Sequence, residues 1–153
     1  MKRPLCTFII VWFCLFTITG CAKKIPLEPF TNAGCEFFPT SSFADTTNVS
    51  RCCLEHDMAY WQGGTEDERW AADQAFRECL ASVTGNERLA DMMYDAVRMG
   101  GTPHFPSWYR WGYGWKTSRA YGPLSEEDKE VVRMLLDEYW QAGSTDAEEP
   151  AQE

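Results

Sequence analysis

Chemically distinctive residues fall four apart along 52–60, the spacing that puts side chains on one face of a helix. Cys52, His56 and Tyr60 form one stripe, and Cys53 and Asp57 form its neighbour, rotated by one residue. Gly63-Gly64 breaks the run, and Thr65 followed by Glu68 reads as a capping box that opens a second helix over 66–82. There Trp70, Asp73, Phe76 and Leu80 follow helical spacing, so Asp73 is expected on an apolar face, where it needs polar partners. The short connection predicts two antiparallel helices lying side by side.

Two further helices follow. Over 86–99, Leu89, Met92, Met93, Ala96 and Val97 mark an apolar side, and Gly100-Gly101 ends it. The last helix is expected over 125–142, with Ser125 as an oxygen cap, three acids after it, and Val131, Val132, Leu135, Leu136 and Tyr139 on its inner face. Residues 32–51, rich in Thr and Ser and punctuated by Gly34 and Pro39, read as a loop. The 102–115 stretch packs six aromatics and two prolines with neither helical nor strand periodicity. Two roles are open to it: a wall or lid over the helix pair, or a wrapped loop that completes a small core. His104 within it reads as structural or exposed, and Arg110 as a residue able to meet a phosphate.

The chain of 153 residues has the length of one domain, and its first segment stands outside that domain. Lys2 and Arg3, an apolar run over 5–18 and the sequence Ile18-Thr19-Gly20-Cys21 resemble a bacterial lipoprotein signal. The resemblance implies removal of residues 1–20 and an acyl anchor, such as palmitate, on Cys21. The alternative is a single membrane-spanning anchor, for which the run is short. Residues 21–34, with Pro26 and Pro29, read as a tether, 35–142 as the helical domain and 143–153 as a disordered acidic tail. Ala22 after the lipid-bearing residue is what bacterial lipoproteins sorted to the outer membrane usually show.

Of seven cysteines, Cys35, Cys52, Cys53 and Cys79 remain once the leader is gone and Cys21 is acylated, an even set suited to an oxidising envelope. Four cysteines allow three pairings, and the adjacent Cys52 and Cys53 rarely join each other. A four-thiolate zinc site is the alternative, but no Cys-x-x-Cys pair is present. The net charge is −9, and without Lys2 and Arg3 there are 12 basic residues against 23 acidic ones. That balance argues against nucleic acid as a partner and against electrostatic attraction to anionic membranes. Membrane association would come through lipidated Cys21.

The run Cys52-Cys53-Leu54-Glu55-His56-Asp57-Met58-Ala59-Tyr60, with Asp73 six positions before Cys79, resembles the active-site helix pair of the secreted phospholipase A2 superfamily. The similarity spans residues 35–80. It implies a mainly α fold built on two antiparallel disulfide-linked helices, with two further helices and an aromatic-rich loop region added. It implies the disulfides Cys35–Cys53 and Cys52–Cys79, the second of which would bring Asp73 opposite His56. By the same resemblance His56 is the general base that deprotonates water, Asp73 orients it, Tyr60 hydrogen-bonds Asp73, and Asp57 binds calcium. The family's calcium loop is glycine-rich, whereas 32–39 here carries one glycine, and Glu36 or Asp45 could add a carboxylate, though no spacing shows it.

The expected function is therefore a lipid-anchored, phospholipase A2-like acyl ester hydrolase that acts on glycerophospholipid with calcium and His–Asp-activated water. No Gly-x-Ser-x-Gly elbow competes with that reading. The alternative is a non-catalytic envelope lipoprotein of the same fold that binds lipid or a protein partner.

Overall fold

The computed structural model describes residues 27–32, 34, 35 and 46–145. The leader, Cys21, Glu36, Asp45 and residues 146–153 lie outside the described residues. The described chain is mainly helical: α1 (Thr46–Gln62), α2 (Glu66–Thr84), α3 (Glu87–Gly100) and α4 (Glu126–Thr145). The one sheet-like pairing among the described residues is an antiparallel bridge between Leu27 and Trp115. No helix among the described residues is long and apolar enough to cross a membrane.

Local chemistry caps the helices at several of the expected ends. Thr65 and Glu68 form the reciprocal capping box of α2, with Thr65 Oγ1 accepting the Glu68 amide and Glu68 Oε2 accepting the Thr65 amide. Gly85 closes α2 in the left-handed conformation at φ 63°. Asn86 caps α3 through the Leu89 amide, and Ser125 caps α4 through the Asp128 amide. Gly63 turns the chain out of α1 at φ 69°, and a Cβ there would stand 2.9 Å from Gly112 Cα.

The disulfides Cys35–Cys53 and Cys52–Cys79 are both present, with Cα separations of 5.7 and 5.8 Å. Each contributes about 2–4 kcal/mol by restricting the unfolded chain. They bracket one core, where Val49, Phe76, Leu80, Ala90 and Met93 pack between α1, α2 and α3. A second core gathers Leu27, Phe30, Trp61 and Trp115 against Val132 and Leu135 of α4.

Five readings of the sequence need correction. Residues 46–51 form the first turns of α1 rather than the end of a loop, with Val49 fully buried among exposed polar neighbours. Leu27 and Phe30 are packed in the second core at 4% and 5% exposure, so the tether ends before them. On α2 the inner stripe is Arg69, Asp73, Phe76 and Leu80, while Trp70 is 54% exposed. The interior at that level holds a tyrosine hydroxyl and the carbonyl end of α3, which a five-donor guanidinium satisfies and an indole does not. On α3, Ala90 and Met93 are buried and Met92 faces outward, and α4 continues through Thr145 into the stretch read as tail.

The 101–122 segment wraps the carbonyl end of α1, where a helix leaves its last C=O groups without partners. Gly112 N–H donates to Tyr60 O at 2.7 Å, Gly114 N–H to Trp61 O at 3.1 Å and Gly122 N–H to Gly64 O at 3.0 Å. The indoles of Trp115 and Trp111 donate to Gln62 O at 2.7 Å and Gly64 O at 2.9 Å.

Candidate functional site

Helix α1 carries His56 and Tyr60 one turn apart, and α2 brings Asp73 against both. His56 Nε2 lies 2.8 Å from Asp73 Oδ1, and the Tyr60 hydroxyl donates to the same oxygen at 2.8 Å. Asp73 is fully buried and His56 is 8% exposed. The imidazole is stacked on Phe76, with ring centroids 4.5 Å apart, and leans on Tyr60 at 4.2 Å. Its Nε2 is thereby committed to Asp73, and Nδ1 is the ring nitrogen left for chemistry.

Two arginines complete the surroundings of Asp73. Arg98 Nη1 of α3 donates to Oδ2 at 2.6 Å, and the buried Arg69 lies 3.8 Å from that oxygen. Burial works against the Asp73 charge, but hydrogen bonds from His56 and Arg98 outweigh it and hold its carboxyl below the ordinary carboxylate range. Burial, reinforced by the charge of Asp73, pushes the Tyr60 phenol well above its usual value, so it stays a donor.

His56 opens on a cavity of about 60 Å³, bounded by Gly34, Asp57 and Tyr60 on one side and Trp108, Tyr109 and Tyr113 on the other. The space suffices for a few water molecules. The first half of the aromatic segment is thus a cavity wall, with Trp108 half exposed, and the second half is core, with Trp111 and Trp115 buried. Tyr113 spans both: its hydroxyl donates toward Asp57 O at 3.4 Å, and burial, with the Asp57 charge behind it, raises its pKa. A larger groove of about 540 Å³ runs along α4 beside Trp140 and contains none of these site residues.

Asp57 presents a carboxylate at the cavity, and its Oδ2 accepts the Gly34 amide at 3.1 Å. Cys35, bonded to Cys53, holds that loop in place. The Asp57 carboxylate is an oxygen ligand, which suits a hard cation such as calcium in kind, and the main-chain group that meets it is the Gly34 amide. No group of three or more His, Cys, Asp or Glu side chains placed to hold a metal occurs among the described residues. The remaining ligands would be loop carbonyls and water.

His56, Asp73, Tyr60 and Asp57 therefore meet at one place. His104 does not join them: it is exposed and sits edge-on to Tyr121 at 6.1 Å. Arg110 is spent on its own loop, donating to the carbonyls of Gly112 and Trp115. Sequence reasoning missed Arg69 and Arg98. Arg69 had a signal, since it lies four residues before Asp73 on the same stripe, whereas Arg98 had none. No protein family, curated protein or solved structure matches this chain.

Proposed function

We propose that this chain is a phospholipase A2-like acyl ester hydrolase acting on glycerophospholipid, anchored through lipidated Cys21 in a bacterial envelope, at the outer membrane. The observation that supports it is the buried Asp73 fixed on His56 Nε2 at the edge of a water-sized cavity. An ionised carboxylate can only accept, so it holds the proton on Nε2 and leaves Nδ1 as the base. His56 Nδ1 takes a proton from water, and the oxygen attacks the ester carbonyl carbon. The tetrahedral intermediate collapses by breaking the bond to the glycerol oxygen, which takes the proton from His56 as it leaves. Asp73 stabilises the imidazolium formed between those steps. Tyr60 and Arg98 hold Asp73, and Trp108, Tyr109 and Tyr113 shield the reaction from bulk solvent.

Asp57 and the carbonyls of the Gly34 loop would hold calcium. When bound, the ion would supply positive charge for the substrate phosphate and the carbonyl oxygen.

A second reading, a non-catalytic lipoprotein that binds lipid or a partner, draws on the Gly34 amide that already occupies one Asp57 oxygen. Fatty-acid release from mixed phospholipid vesicles, with calcium and then with chelator, separates the two. We expect calcium-dependent release that falls about 10²- to 10⁴-fold in His56→Gln without loss of fold. No release from the disulfide-intact wild-type protein would reject hydrolysis in favour of binding.

A further inference from the structure

The geometry points to Arg98 as a positioning residue that keeps Asp73 an ionised acceptor and thereby fixes the tautomer of His56. Its consequence for rate rests on the hydrolytic reading above, whereas its structural basis does not.

Asp73 has no exposed surface, and four groups among the described residues face it: His56 and Tyr60 from α1, Arg69 from its own helix, and Arg98 from α3. Oδ1 is saturated by the two α1 donors. Oδ2 takes one close hydrogen bond, from Arg98 Nη1 at 2.6 Å. Arg69 does not substitute for it. Its Nε donates to Tyr60, its Nη1 to Tyr121, and its Nη2 to the carbonyls of Val97 and Arg98. That guanidinium ties α3 to the site and stands 3.8 Å from the carboxylate.

Without Arg98, a buried carboxyl would keep one oxygen without a hydrogen-bonded cation, and taking up a proton relieves that cost. With that proton on Oδ1, the oxygen that faces His56, Oδ2 is left a neutral carbonyl and the O–H can donate to His56 Nε2, which drives the ring proton to Nδ1. The base would then carry a proton on the atom that must receive one. A carboxylate held through Oδ1 alone can also swing about its Cβ–Cγ bond, whereas one pinned through both oxygens from α1 and α3 cannot. The side chain of Arg98 is about a quarter exposed, so it can be replaced without opening a large cavity.

The test is nitrogen NMR of the His56 ring in the disulfide-intact protein, with Arg98→Met and Arg98→Lys. Wild type and Arg98→Lys should show the proton on Nε2, and Arg98→Met should populate the Nδ1–H form. Hydrolysis of mixed phospholipid vesicles should fall about 10- to 100-fold in kcat for Arg98→Met with KM unchanged, by analogy with the loss on removing the partner behind a metal-ligating histidine. Arg98→Lys should recover most of it. Arg98→Gln, which keeps an amide donor, replaces Arg98→Met if the latter does not fold. An unchanged tautomer in the uncharged variants would overturn the assignment. If the wild-type protein hydrolyses no ester, the hydrolytic reading fails, and the spectra still decide the role of Arg98.

Discussion

The two cores of this molecule are built by different means and serve the site differently. The first, between α1, α2 and α3, rests on helical faces and two disulfides, and it positions His56 and Asp73. The second rests on Trp61 and Trp115, and these, like the buried Trp111 outside it, each set the indole N–H on a main-chain carbonyl. Trp61 donates to Glu28 O at 2.9 Å, Trp111 to Gly64 O at 2.9 Å and Trp115 to Gln62 O at 2.7 Å. Regular elements satisfy their own backbones, so their side chains are free for chemistry. An irregular segment must satisfy its backbone elsewhere, and here it does so on the unpaired end of α1. The His56–Asp73 pair and the wall in front of it are thus joined at Tyr60, whose carbonyl accepts the Gly112 N–H and whose hydroxyl donates to Asp73.

The largest effect expected from breaking that division is on the tryptophan side. Trp111 is 2% exposed and packs edge-on against Tyr60, with centroids 5.1 Å apart. Trp111→Ala should cost about 3–5 kcal/mol, from a large buried ring and the loss of one of the two hydrogen bonds on the Gly64 carbonyl. Chemical denaturation would measure it. A loss within the range of an ordinary surface substitution would mean that the loop does not hold the end of α1.

This division also explains what could be read from the chain. His56, Tyr60 and Asp73 were legible because helical spacing places them on faces, and a stapled helix pair brings the faces together. The choice between Arg69 and Trp70 was not, since both extend the Asp73, Phe76 and Leu80 stripe and only the third helix decides between them. Arg98 is 25 residues from Asp73 and looks like any charged residue near a helix end. The roles of Trp111 and Trp115 were hidden for another reason. Their partners are carbonyls of a different element, and no periodicity of side chains encodes a main-chain acceptor. Leu27 and Phe30 likewise sit among prolines and lysines, where composition suggests a tether and burial overrides it.

A smaller effect sharpens the helical side. Asp73 titrates below the ordinary aspartate value of about 3.9 because His56 and Arg98 stabilise its charge against the cost of burial. Between the two values the unfolded chain binds the proton and the native protein does not, so stability there rises with pH. The Asp73 contribution is fully present above about pH 3.9 and is lost as pH falls through its lower native value. The difference in Tm between wild type and Asp73→Asn should therefore hold from neutral pH to about 4 and shrink below it. A difference that stays constant down to pH 2 would show that the charge of Asp73 contributes nothing to the helical core. The tryptophan core, held by indoles and carbonyls, has no corresponding dependence.

The smallest effect on stability, and the most telling for function, belongs to Trp108, three residues before Trp111. It is 54% exposed, touches Tyr109 edge-on at 5.6 Å and borders the cavity in front of His56. Trp108→Ala removes little buried area, so stability should change by no more than about 0.5 kcal/mol. If the wall exists to receive an acyl chain, the same substitution should slow hydrolysis of vesicle phospholipid while sparing a short soluble ester, which needs only His56 and the water-sized cavity. Equal losses on both substrates would instead place Trp108 in the chemistry of the cavity. No loss on either would reduce the wall to packing, and would leave the whole aromatic segment with the one task that Trp111 and Trp115 already perform.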